Sequence, residues 1–280
     1  LTTCDIARFL LVLMQLLADP NGSLAQKITD AGYQAMKAGK SEEAVAAFLE
    51  AIRENGKDIR AHVGLGQAYE RLGRLTDAEQ AYRTAVDLNP LSADLRMALG
   101  GCLLDLNRPA EAEREYRRAA DLAPMNARAA IGIGESLAAQ GLYDDALAAF
   151  LRASGYEPDS PDPYLAIARM HAGREHWTLA AEHYRAALRL SPGNRQARIG
   201  LISVLNSGRM SAQALQEAEA TLRIVPNDLD VQANLAIALD GLGRYDEAVA
   251  LYQKLLAEAP SSILWGNLGW TQYNAGKYAQ

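Results

Sequence analysis

Alanine recurs every 34 residues, at Ala44, Ala78, Ala112, Ala146, Ala180, Ala214 and Ala248, and proline keeps the same beat at Pro90, Pro124, Pro158, Pro192, Pro226 and Pro260. Alanine supplies 52 of the 280 residues, too few for chance to place seven in register and six prolines alongside them. A chain with this period is an array of equal small units, each burying its apolar stripe against its neighbours. Length then counts units rather than domains, and function lies in the surfaces of the array before it lies in any single pocket.

Each unit reads as two helices. Between Ile59 and Ser92, apolar or small residues fall at Val63, Leu65, Gly66 and Tyr69, then at Ala78, Tyr82, Ala85 and Val86, helical spacings on either side of Gly73. Gly39, Gly73, Gly141, Gly243 and Gly276, with Asn107 as a substitute, form the turn column, because both residue types tolerate the left-handed conformation that ends a helix. Each proline then stops the second helix, since it lacks an amide donor and disfavours a helical residue before it. Gly66, Gly100 and Gly134, together with the Ala44 column, predict close approach of two backbones. The bulky column Phe48, Tyr82, Tyr116, Phe150, Tyr184 and Tyr252 fills the space beside them.

The pattern Leu65-Gly66, Tyr69, Ala78, Tyr82, Ala85 and Pro90, repeated as Leu99-Gly100, Ala112, Tyr116, Ala119 and Pro124, resembles the tetratricopeptide repeat over about residues 25–280. The resemblance implies an all-α fold, a right-handed superhelical solenoid of antiparallel helix pairs. It divides the chain into an apolar N-terminal segment (1–24), seven tandem units (25–262) and an incomplete eighth (263–280) that begins one residue early at Trp265, Leu268, Gly269 and Gly276. The sequence stops where the eighth unit's second helix should begin and shows no capping helix, so it reads as a piece of a longer chain. The unit from Arg195 departs most, with Ile202, Ala218 and Thr221 at the small, aromatic and alanine positions, and is expected to be the weakest seam.

Several chemistries are not expected. The net charge is −6 and 28 Lys and Arg are scattered among 34 Asp and Glu, so no concentrated positive field is offered to nucleic acid. Cys4 and Cys102 make no disulfide framework. Gly64-Leu65-Gly66 and Gly132-Ile133-Gly134 look like the start of a phosphate loop but lie two periods apart inside helices with no preceding strand, which favours packing. His171, His176 and His183 cluster with Glu175, Trp177 and Glu182. His176 and His183 would stand about 10 Å apart along a helix, and Gly173 would interrupt the run from His171, so no metal is expected. No Gly-x-Ser-x-Gly elbow, His-Glu-x-x-His pair or P-loop occurs, and neither catalysis nor a cofactor is expected.

The stretch from Phe9 to Ala18 is apolar except for Gln15, follows Arg8 and precedes Asp19-Pro20-Asn21-Gly22. It is too short to span a bilayer, and no transmembrane segment is expected. Two readings stand. A signal-peptide core followed by Ser23-Leu24-Ala25 would be cleaved before Gln26 and send the chain out of the cytoplasm, to the periplasm in a bacterium. An amphipathic helix capping the first repeat would leave it cytoplasmic, and Asp5 and the initial Leu1 favour that side. A lipoprotein box at Leu1-Thr2-Thr3-Cys4 fits less well because Thr3 is large for its position, and Asn21-Gly22-Ser23 matches a glycosylation sequon.

The resemblance implies a non-enzymatic scaffold that binds a protein or peptide in a concave groove lined by the first helix of each unit. Val63, Met97, Ile131, Leu165 and Ile199 stand one period apart on that face, and Gln67, Glu135 and Arg169 lie one turn on; these eight are the candidate groove residues. The competing reading is that the apolar stripe packs between adjacent first helices. The groove around it is mixed in charge, with Arg60, Glu70, Asp94, Leu104, Arg128 and Asp162. Some family members clamp a C-terminal carboxylate with Lys and Asn. Here the corresponding pairs are Val63 and Gln67, Met97 and Gly101, Ile131 and Glu135, so that mode is not expected. A narrower reading, by resemblance to repeat lipoproteins of pilus and secretion systems, is envelope assembly. A different one is the substrate-docking arm of a glycosyl- or sulfotransferase whose catalytic domain would lie beyond Gln280.

Overall fold

The computed structural model describes residues 23–276. The Leu1–Cys4 box, the apolar stretch 9–18, Asn21 of the sequon and the last four residues lie outside them. Among the described residues are fifteen α-helices and no strand. They fall into two compact bodies, divided after Ala146.

The first body holds α1 (Leu24–Lys37), α2 (Ser41–Glu54), α3 (Ile59–Arg71), α4 (Leu75–Leu88), α5 (Ala93–Asp105), α6 (Pro109–Leu122), α7 (Ala127–Ala139) and the start of α8 (Tyr143–Tyr156). The second continues from α8 through α9 (Asp162–Gly173), α10 (Trp177–Leu190), α11 (Arg195–Ser207), α12 (Ser211–Leu222), α13 (Leu229–Gly241), α14 (Tyr245–Glu258) and α15 (Ser262–Asn274). In each body, consecutive helices pack in pairs, and first helices also touch the next first helix, as α1 touches α3 and α11 touches α13.

Local chemistry explains the alternation. Asp58, Ser92, Asn126, Asn194 and Asp228 cap five of the first helices, each side chain accepting from the amide three residues on, whereas α9 follows Pro161 with no side-chain cap. Ser23 does the same for α1 in a reciprocal box with Gln26. Ser23, Leu24 and Ala25, which cleavage before Gln26 would remove, thus form the cap and first turn of α1. At the foot of four first helices, α3, α5, α11 and α13, the position-four side chain binds back to the incoming loop: His62 to the Gly56 carbonyl, Arg96 to Pro90, Arg198 to Pro192 and Gln232 to Pro226.

Every first helix of the seven pairs ends in one hydrogen-bonded turn. The amides of Lys40, Arg74, Arg108, Leu142, His176, Met210 and Arg244 each donate to the carbonyl five residues back, at 2.8–2.9 Å. The bond fixes the preceding residue in the left-handed region: Gly39, Gly73, Asn107, Gly141 and Gly243 as the sequence indicates, but also Glu175 at φ 59° and Arg209 at φ 57°. Gly173 does not break the chain after His171. It is the last residue of α9, and the turn comes two residues later because the hydrogen-bond register, not the glycine, sets it.

The glycines of the first helices have a more specific role than close backbone approach. Gly66 lies against the ring of Tyr82 and Gly100 against Tyr116, within the same pair, while Gly64 receives Phe48, Gly132 receives Tyr116 and Gly200 receives Tyr184 from the preceding pair. Each aromatic ring is thus a wedge seated between successive first helices. In the pair α11–α12, where that ring is missing, Ile202, Leu205 and Ala218 are fully buried in a core with Tyr184, Leu201 and Val231. A cleft of about 190 Å³ remains beside them, lined by Leu188, Pro192, Arg198, Leu201, Glu217, Ala220 and Thr221.

Candidate ligand-binding face

The first-helix positions of the apolar stripe are not equally accessible. In the first body, Val63 on α3 and Ile131 on α7 are half-buried, with Gln67 exposed and Glu135 half-buried one turn beyond them. Met97 on α5 keeps only 7% of its surface. In the second body, Leu165 on α9 keeps 3% and belongs to the apolar core, Arg169 is exposed and Ile199 on α11 is half-buried. The half-open apolar positions are thus Val63 and Ile131 in the first body and Ile199 in the second, with Gln67 exposed in the first and Arg169 in the second.

The second helices of the first body present a different surface. Glu79 on α4 pairs with Arg83 at 2.8 Å and Arg108 at 2.6 Å, Arg108 also binds Glu111 at 2.7 Å, and Arg117 binds Glu113 at 2.8 Å. Exposed pairs of this kind contribute little to stability. Glu79, Arg83, Arg108, Glu111, Glu113 and Arg117 are thus engaged in ion pairs on this side.

On the first-helix side the electrostatics are less settled. The Tyr82 hydroxyl donates to Glu70 at 2.9 Å. Burial raises the Glu70 carboxyl above its ordinary range against that hydrogen bond, and the charge of Asp105 pushes the same way. Tyr116 is also raised, first by burial and then by Glu135 and Asp105, with Arg128 opposing. Burial and the charge of Glu70 push the Cys102 thiol up to about 12. Its S–H lies 3.5 Å from the Leu75 carbonyl, so it stays an inert protonated thiol.

The histidines come together, contrary to their spacing along the chain. The left-handed turn at Glu175 folds His176 back, so that the His171 ring lies 5.6 Å from His183 and 5.9 Å from His176. His171 Nδ1 is buried with no hydrogen-bond partner. His171 and His183 are both held below the usual imidazole range, chiefly by burial. Among the described residues no group of three or more His, Cys, Asp or Glu side chains is arranged to hold a metal ion. The signal that could have located this cluster was the 34-residue register of the turn, which places residue 175 in the same column as Gly141.

Among the described residues no helix is long and apolar enough to cross a membrane. The tetratricopeptide repeat family profiles match residues 29–93, 75–124 and 97–163, and 136–267. Cellulose synthase operon protein C of Pseudomonas fluorescens is 26% identical over 139 residues, 47% of this chain and 11% of that protein. The chain therefore spans about a tenth of that relative's length. Among solved structures, a tetratricopeptide repeat protein of Parabacteroides merdae covers 90% of this chain and 100% of its own at a TM-score of 0.66 and 14% identity. PilW, a widely conserved type IV pilus biogenesis factor, covers 75% and 98% at 0.63 and 19%. A thermophilic repeat protein of Thermus thermophilus covers 65% and 98% at 0.56 and 24%. At these identities the structural likeness is one of fold.

Proposed function

The chain belongs to the tetratricopeptide repeat family, and from that premise we propose that it is a non-enzymatic scaffold that holds a protein or peptide segment on the face formed by its first helices. The observation that carries this reading is the set of half-open apolar side chains on first helices: Val63 and Ile131 in the first body, with Gln67 exposed beside Val63, and Ile199 in the second. Neighbouring helices stand about 8–10 Å apart and an extended peptide advances about 3.3 Å per residue; because Met97 on the helix between Val63 and Ile131 is covered, such a ligand meets an open apolar position roughly every fifth or sixth residue. The ligand is accordingly an extended segment with spaced apolar side chains.

Replacing Ile131 and Ile199 by Asp tests this. Both positions already touch solvent, so helical circular dichroism is expected to persist while capture of the partner from a native lysate weakens. Capture that survives with unchanged helicity removes the first-helix face as the binding surface. A narrower role, in assembly at the cell envelope, would show itself as capture of envelope components by the unaltered chain.

A further inference from the structure

Within the first body the binding face contains one position with no side chain. Gly101 on α5 stands where α3 has Gln67 and α7 has Glu135, and it leaves a gap in the row. Tyr116 closes the bottom of that gap: its hydroxyl would lie 3.6 Å from a Cβ on Gly101. The side chain is 8% exposed and its hydroxyl makes no hydrogen bond to another described residue. Glu70 and Asp105 act on this hydroxyl and on each other, and neither is in an ion pair with a Lys or Arg among the described residues. The Glu70 carboxyl is half-buried and its hydrogen-bond partner is the Tyr82 phenol, which brings no positive charge. The cation acting on Tyr116, Arg128, does so less strongly than Glu135 and Asp105.

The half-buried Glu70 carboxylate feels the like charge of the exposed Asp105, and a cation placed between them relieves that repulsion. We propose that the gap at Gly101 is a pocket for a basic side chain, Arg or Lys, of the bound segment, with Glu70 and Asp105 as its charge partners and the Tyr116 hydroxyl as a hydrogen-bond acceptor. This inference rests on the first-helix face being the peptide site and adds the chemistry of one ligand position. A side chain of that length has the reach to pass between Gln67 and Glu135, and its aliphatic stem lies along the floor made by Gly101 while its charged head meets the carboxylates. The same burial that raises Glu70 in the free chain strengthens its pairing once the cation is in place.

The probe is a pool of labelled peptides with Leu at every fifth or sixth position and all other positions randomised, captured on the immobilised chain. The expected result is enrichment of Arg and Lys by about fivefold at a single register relative to Leu. That enrichment is lost in the isosteric double variant Glu70→Gln, Asp105→Asn and in Gly101→Met, which fills the gap, each with unchanged circular dichroism. Capture of Leu-spaced peptides with no basic preference, or a preference that survives in the variants, overturns the pocket and leaves the face as a peptide site. Capture of no peptide at all removes both.

Discussion

A methyl group on Gly66 would stand 2.7 Å from the ring of Tyr82, closer than side chains pack, whereas one on Gly101 would meet nothing nearer than 3.6 Å. Both glycines sit in the interior of a first helix, where alanine is intrinsically better by about 1 kcal/mol. At Gly66 the overpacking penalty of about 1–3 kcal/mol outweighs that gain. Gly66→Ala is therefore expected to lower the urea midpoint and Gly101→Ala to raise it. Equal effects at the two sites would mean that the ring is not a wedge.

Arg209 and Glu175 hold positive φ where five of the other pairs carry Gly or Asn. A left-handed residue with a Cβ costs about 1–2 kcal/mol, part of which glycine returns through its freer unfolded chain. Arg209→Gly is expected to stabilise by about 0.5–1 kcal/mol, and Gly73→Ala to destabilise by about 1 kcal/mol, both read from thermal melts. No change in either variant would contradict the assignment of these turns.

Acid should loosen the corner between α9 and α10. His171 is held below the ordinary range by burial, then by His183, His176 and Arg174, and His183 by burial against the opposing charge of Glu182. The folded chain therefore binds fewer protons than the unfolded chain just below the ordinary imidazole value of about 6.5. Their contribution is complete above that value, is lost as pH falls through it, and changes no further below the folded values. The melting temperature is expected to fall more steeply between about pH 7 and 5 in the wild type than in His171→Gln, His183→Gln. Parallel curves would mean that the cluster is not linked to folding.

The pair α11–α12 lacks the aromatic wedge and keeps a cleft of about 190 Å³, although Ile202 and Leu205 refill much of the space. Stacked repeats open first at their weakest neighbour interface. Native-state hydrogen exchange is expected to be faster across 195–222 than across 59–122. Equal protection would show that the repacked core compensates in full.

The 34-residue register made the helices and the aromatic column legible in the sequence, because apolar period and turn residues agree there. It did not reveal the turns at Glu175 and Arg209, where the hydrogen-bond pattern of the array holds residues that local preference would reject. Taking Gly173 as the break hid the meeting of His171 with His183. On the proposed binding face, helical spacing placed Val63, Met97 and Ile131 on one side of their helices. It could not separate Met97, covered by packing, from its half-open neighbours, since burial depends on the residues of the adjoining helix. The vacancy at Gly101 and the uncompensated Glu70 required the Tyr82 and Tyr116 rings to be in place.

Site-specific photo-crosslinking tests the scaffold reading most directly. A benzophenone side chain at Gln67 or at Arg169, exposed on first helices, is compared with one at Arg117 or at Glu219, exposed on second helices. The account predicts that the captured partner is cross-linked from Gln67 and Arg169 and not from Arg117 or Glu219. Cross-links confined to Arg117 and Glu219 would place the partner on the second-helix side and contradict it.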